Sequence, residues 1–114
     1  MASGMAIALG KQGRLAEVCE EFAQAVRYQP ESVKAQYNWG FALAKQTDFD
    51  GAIPHFRAAL RLNPEFAAAH YSLGVALLQR GPRADAIREL QRALELEPTS
   101  HKTRSALDAA RKGA

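Results

Sequence analysis

"YNWGFALAKQTDFDGAIPHFRAALRLNP", running from Tyr37 to Pro64, returns as "YSLGVALLQRGPRADAIRELQRALELEP" from Tyr71 to Pro98. Tyr, Gly, Ala-Leu, Ala-Ile, Ala-Leu, Leu and Pro keep their slots while the letters between them change. The interval is 34 residues, and it also separates Pro30 from Pro64 and Pro64 from Pro98. Phe22, Phe56 and Leu90 share that spacing, as do Leu9, Leu43 and Leu77, and Ala6, Gly40 and Gly74. Aligning residues 33–66 on 67–100 gives 11 identities, concentrated at small and apolar positions. Such self-similarity marks an internal repeat, which has to be read before any other signal.

Within each unit the apolar residues follow helical spacing. Trp39, Ala42 and Leu43 form one run, and Ala52, Ile53, Phe56, Ala59 and Leu60 form the next. The break between them falls at "KQTDFDG", with "KQGR" and "QRGPR" in the other units, where Gly and Asp supply turn and cap chemistry. Each unit is therefore helix A, tight turn, helix B. "NPE" at Asn63–Glu65 suggests the start of the next A helix, with Asn63 as N-cap and Pro64 at the first helical position. Pro54 falls inside helix B of the second unit and predicts a late start near Asp50, or a kink.

The recurring small residues have a packing reason. Gly40 with Ala52, and Gly74 with Ala86, are placed where helices A and B cross, and bulk there would force the axes beyond ordinary contact at ~8–10 Å. Phe56 and Leu90 then fill the space between one unit and its neighbour. Helices of this length are marginal alone, so the units must stack.

The pattern resembles the tetratricopeptide repeat (TPR) family, whose motif is W-x2-L-G-x2-Y, then A-x3-F, then P. Trp39-Gly40, Leu43, Ala52, Phe56 and Pro64 match one unit; Leu73-Gly74, Leu77, Ala86, Leu90 and Pro98 match the next. Met5-Ala6, Leu9, Val18, Phe22 and Pro30 give a looser first unit. Gln36 and His70 stand where the family has Trp, and Leu stands for its Tyr. The resemblance implies an all-α, right-handed superhelical solenoid of three helix-turn-helix units plus a C-terminal capping helix, about seven helices in one domain. The expected repeats cover about 1–32, 33–66 and 67–98, with the cap at about 99–112. The first A helix is expected to be short, since residue 1 already takes the third slot of its unit and Gly4 and Gly10 weaken it.

Composition narrows the function. Residues 1–98 carry 11 basic and 11 acidic side chains; Lys102, Arg104, Arg111 and Lys112 against Asp108 supply the whole net charge of +3. The body thus offers no basic stripe for phosphates, and nucleic acid is not expected as a partner. No apolar run reaches the ~18 residues of a membrane span, and the N-terminus makes a poor signal peptide. With a single Cys19, a cytoplasmic protein is expected.

No catalytic or cofactor chemistry emerges. Cys19 takes the slot of Ile53 and Ile87 and reads as a core residue; His55, His70 and His101 have no metal-ligand spacing. No carboxylate pair recurs for acid–base work, and "GKQG" follows no strand. The expectation is a protein that is not an enzyme, without metal or cofactor.

What remains is the groove that the resemblance assigns to the A helices. It places Ile7 with Ser3, Gly10 and Lys11 there in the first unit. The second unit adds Lys34, Tyr37, Asn38, Phe41, Ala44 and Lys45, and the third Ala68, Tyr71, Val75, Leu78 and Gln79. The Lys/Asn/Arg clamp that some family members use on a terminal carboxylate is absent, since its slots read Ser3/Ile7, Tyr37/Phe41 and Tyr71/Val75. An apolar, aromatic surface of this kind suits a peptide or helix of a partner protein with apolar anchors. The alternative is self-association through the first repeat, or a regulatory array within a larger protein.

Overall fold

The computed structural model describes residue 17 and residues 20–113, which contain six helices and no strand. Residues 20–28 lie on the first, α1. It is followed by α2 (Val33–Lys45), α3 (Phe49–Leu62), α4 (Ala67–Arg80), α5 (Arg83–Leu96) and α6 (His101–Lys112). The expected first A helix, with Met5-Ala6 and Leu9, lies outside the described residues, as do Val18 and Cys19. α2 pairs with α3, α4 with α5, and each pair packs on the next through α3 against α4 and α5 against α6.

Side chains start three of these helices. Ser32 Oγ accepts from the Ala35 N–H at 3.1 Å, Asp48 Oδ1 from Gly51 at 3.0 Å, and Ser100 Oγ from Thr103 at 3.3 Å. Each satisfies a donor that the first turn leaves without an intrahelical partner. Asn63 does not do this for α4. Its Oδ1 accepts from Glu65 N at 3.2 Å, a bond two residues along that closes a turn, and its carbonyl accepts from Phe66 N. Asn63 caps the end of α3, and α4 begins only after Phe66, so the expected Asn63–Glu65 helix start is corrected to a turn.

The helix around Pro54 starts close to Asp50, as expected, but the proline lies deeper in it than the unbonded first turn. α3 begins at Phe49 with Asp48 as its N-cap, so Pro54 falls in its second turn, beyond the unbonded first groups. The Asp50 carbonyl accordingly has no N–H four residues on to accept from. Asp50 sits at the exposed end of α3, with its carboxylate held by Arg80 at 2.9 Å. The Arg80 hydrogen bond and charge hold the Asp50 carboxyl below its ordinary range.

The α2–α3 turn contains a strained residue that the spacing did not signal. Thr47 has φ 61°, in the left-handed region that costs a β-branched residue on the order of 1–2 kcal/mol. Thr47→Asn is expected to raise stability by about 1 kcal/mol, because Asn tolerates this conformation. Urea unfolding checks it; no change in midpoint would show that the turn relaxes around threonine at no cost.

The core repeats with the sequence. Ala52, Phe56, Leu73, Ala76, Leu77 and Ala86 form one buried cluster, and Leu90, Leu107 and Ala110 the next. A Cβ built on Gly40 would stand 2.8 Å from the Phe56 ring and 3.2 Å from the Ala52 carbonyl oxygen. On Gly74 it would stand 2.7 Å from Leu90 and 3.2 Å from the Ala86 carbonyl oxygen. Glycine therefore occurs where helix A meets the B-helix backbone.

A polar thread follows the same register. Gln36 Nε2 donates to the Pro30 carbonyl at 3.2 Å, His70 Nε2 contacts the Pro64 carbonyl at 2.7 Å, and Arg104 donates to the Pro98 carbonyl at 3.5 Å. Nineteen residues on, His55 Nδ1 donates to Gln36 Oε1 at 3.0 Å and Glu89 meets His70 Nδ1 at 2.8 Å. In α2 and α4 one side chain thus ties the preceding turn to the B helix of its own unit, while Arg104 of α6 makes only the link to the turn.

His55 also stacks on Trp39, with ring centroids 3.9 Å apart. Burial lowers its pKa from the ordinary 6.5. Just below pH 6.5 the unfolded chain therefore binds more protons at this site than the folded chain, and stability falls as pH falls. His55→Gln is expected to lose less melting temperature than the parent as pH is lowered through 6.5. An equal or larger loss in the variant would overturn this sign.

Candidate functional site

The A helices α2, α4 and α6 set one face of the array, and on it α2 and α4 leave a cavity of about 170 Å³. Its lining is Phe41, Ala44 and Lys45 from α2, Phe49 and Phe56 from α3, and Tyr71, Ser72, Val75 and Ala76 from α4. Phe56 is buried at its base, whereas Phe41 is 44% exposed, unusual for a large aromatic side chain on a well-packed helix.

An aromatic cluster holds the walls. The Tyr37 ring lies 4.9 Å from Phe66, 5.7 Å from Phe56 and 6.0 Å from Phe41, measured between centroids. Its hydroxyl meets Ser72 Oγ at 3.2 Å, joining α2 to α4. Such contacts favour offset and tilted rings and fix their orientation. Two ammonium groups stand on the aromatic surface: Lys45 Nζ is 5.3 Å from the Phe41 centroid, and Lys102 Nζ is 4.8 Å from the Tyr71 centroid.

The structure brings Phe41, Lys45, Tyr71 and Val75 together as cavity lining, along with Ala44. Tyr37 stands behind them as a support that is already engaged on three sides. Leu78 packs against both core clusters and Gln79 is exposed; neither lines the cavity. Asn38 is half-buried and Lys34 exposed, both outside the lining. Ile7, with Ser3, Gly10 and Lys11, lies outside the described residues.

Phe49, Phe56, Ser72 and Ala76 belong to the lining without having been assigned to the groove from sequence. Assigning the groove to A helices alone excluded Phe49, which enters from the first turn of α3. Phe56 was assigned to the core, and it serves both. No carboxylate, histidine or cysteine lines the cavity. Among the described residues, no group of three His, Cys, Asp or Glu side chains could hold a metal, and no helix is long and apolar enough to cross a membrane.

Comparison with known proteins places this geometry. The tetratricopeptide repeat family model matches residues 37–101. No curated protein sequence matches the chain. Among solved structures, the first TPR of Spaghetti (RPAP3), bound to the HSP90 peptide SRMEEVD, is 22% identical with a TM-score of 0.85; the match covers 90% of this chain and 81% of that one. The Arabidopsis OM64 TPR domain is 19% identical with a TM-score of 0.84, covering 94% and 88%. The Yersinia enterocolitica type III secretion chaperone SycD, in complex with a peptide of the translocator YopD, is 17% identical with a TM-score of 0.79, covering 95% and 88%. At these identities the likeness is one of fold.

Proposed function

This chain belongs to the tetratricopeptide repeat family, and we propose that it is a protein-interaction module whose groove holds a segment of a partner protein. The observation that carries the proposal is Phe41, exposed at the rim of an apolar cavity whose walls are fixed by Tyr37 and floored by Phe56. A preformed site of this kind loses little ordering entropy on binding, and one aromatic or aliphatic side chain of the partner would fill it. Related folds that hold peptides, those of Spaghetti and SycD, support the same use of the surface. The proposed role is binding, through the apolar side chains of Phe41, Tyr71 and Val75 that line the cavity.

Peptide display on the intact chain tests the proposal. Phe41→Ala is expected to weaken the selected peptide by about 30-fold, the effect of a central aromatic anchor worth about 2 kcal/mol. Its melting temperature should stay near that of the parent, since the ring is partly exposed. Failure to select any saturable ligand, or a ligand indifferent to Phe41→Ala and Val75→Ala, would overturn the reading. Mass that rises with concentration would then favour self-association, including the contact through the first repeat that the sequence raised.

A further inference from the structure

We infer that the groove takes an acidic segment, in which an apolar anchor enters the cavity between Phe41 and Tyr71 and flanking Asp or Glu side chains meet Lys45 and Lys102. The inference rests on the groove reading above and adds to it the charge of the occupant.

The sequence hides this polarity, because residues 1–98 balance to zero. The fold sorts the charges. α2 (VKAQYNWGFALAK) and α4 (AAAHYSLGVALLQR) contain no Asp or Glu at all. From residue 20 to 113, the carboxylates lie on α1, α3 and α5, in the caps and turns, or at Asp108. Asp108 holds the register of Gly40 and Gly74, the side of an A helix that turns toward a B helix and away from the groove. The face built by the A helices is therefore cationic, without carboxylates to offset it.

Two of its cations bracket the cavity. Lys45 lines it and stands on the exposed ring of Phe41; Lys102 stands on Tyr71, which lines the other wall. Both lysines are exposed, and neither has an ion-pair partner among the described residues. A ring face orients an ammonium group and leaves its net charge in place. Beside a low-dielectric apolar wall, such charges attract carboxylates more strongly than the same lysines would on an open surface. Anchor and charge together describe one ligand: an apolar residue with acids on its flanks, recognised through side chains and without need of a free terminal carboxylate.

The test uses the full chain and three displayed peptide libraries with the same apolar centre. Their flanks are restricted to Asp/Glu, to Asn/Gln or to Lys/Arg, and the peptide C-terminus is fused so that no terminal carboxylate is free. The acidic library should enrich, and its selected peptide should weaken about tenfold or more in a Lys45→Glu, Lys102→Glu variant of unchanged melting temperature and on raising salt. Enrichment that depends on Phe41 yet is equal across the libraries, favours basic flanks, or ignores the charge reversal would overturn the acidic assignment and leave the groove reading standing. No enrichment from any library, or concentration-dependent self-association abolished by Phe41→Ala, would overturn both.

Discussion

Phe56→Ala should lower the unfolding free energy by about 3–5 kcal/mol, toward the upper end of that range. The ring is 0% exposed and is the largest side chain of the core. It lies against Gly40, which has no side chain with which to close the gap, and against Ala52, whose methyl cannot reach across it. A cavity that cannot collapse retains the full cost of its lost contacts. Since a domain of this size is stable by about 5–15 kcal/mol, the loss takes a large share of the total. Phe56 also floors the groove and packs on Tyr37, so the variant should lose ligand binding along with stability. Phe56→Leu is the control, because Leu90 fills the same slot of the next unit above Gly74; its cost should stay near 1 kcal/mol. Urea midpoints followed by helical circular dichroism decide the matter. A loss below about 1 kcal/mol for the alanine variant would mean that the units do not depend on this contact.

The period was legible because the packing that enforces it is strict. Where two helices approach within a methyl group, Gly40 and Gly74 cannot vary freely, and neither can the side chains that fill the neighbouring space. Local punctuation was less legible, because one residue can satisfy two grammars. Asn63 followed by proline reads as a helix start, yet its side chain closes a turn with Glu65, and Phe66 separates that turn from α4. Pro54 read as a helix start near Asp50, which α3 meets at Phe49, yet the proline falls in its second turn and not among the unbonded first groups. Five of the nine lining residues were read from the A-helix register; Ser72 and Ala76 of α4 were missed beside them, and Phe49 and Phe56 could not be read that way, since they reach the cavity from a B helix. The charge balance was silent on placement. A sum over the sequence cannot distinguish mixed charges from sorted ones, and here the sorting follows the helices.

Gly74→Val should cost about 3 kcal/mol, with the cause divided between two contacts of different stiffness. The first Cβ already lies 2.7 Å from Leu90 Cγ, and a leucine can move only if its own neighbours let it. Leu90 is fully buried and packs with Leu107 and Ala110, so its room is small. The Ala86 carbonyl at 3.2 Å is backbone, and yielding there means shifting α5 as a whole. Combining Gly74→Val with Leu90→Ala separates the two. Leu90→Ala alone should cost about 2–5 kcal/mol by leaving a cavity. In the double variant the valine occupies part of that cavity, so the total should fall short of the sum by about 1–2 kcal/mol. It should still lie well below the parent, because the carbonyl contact remains. Strict additivity would show that Gly74 yields to the α5 backbone alone, and that the leucine beside it is free to turn away.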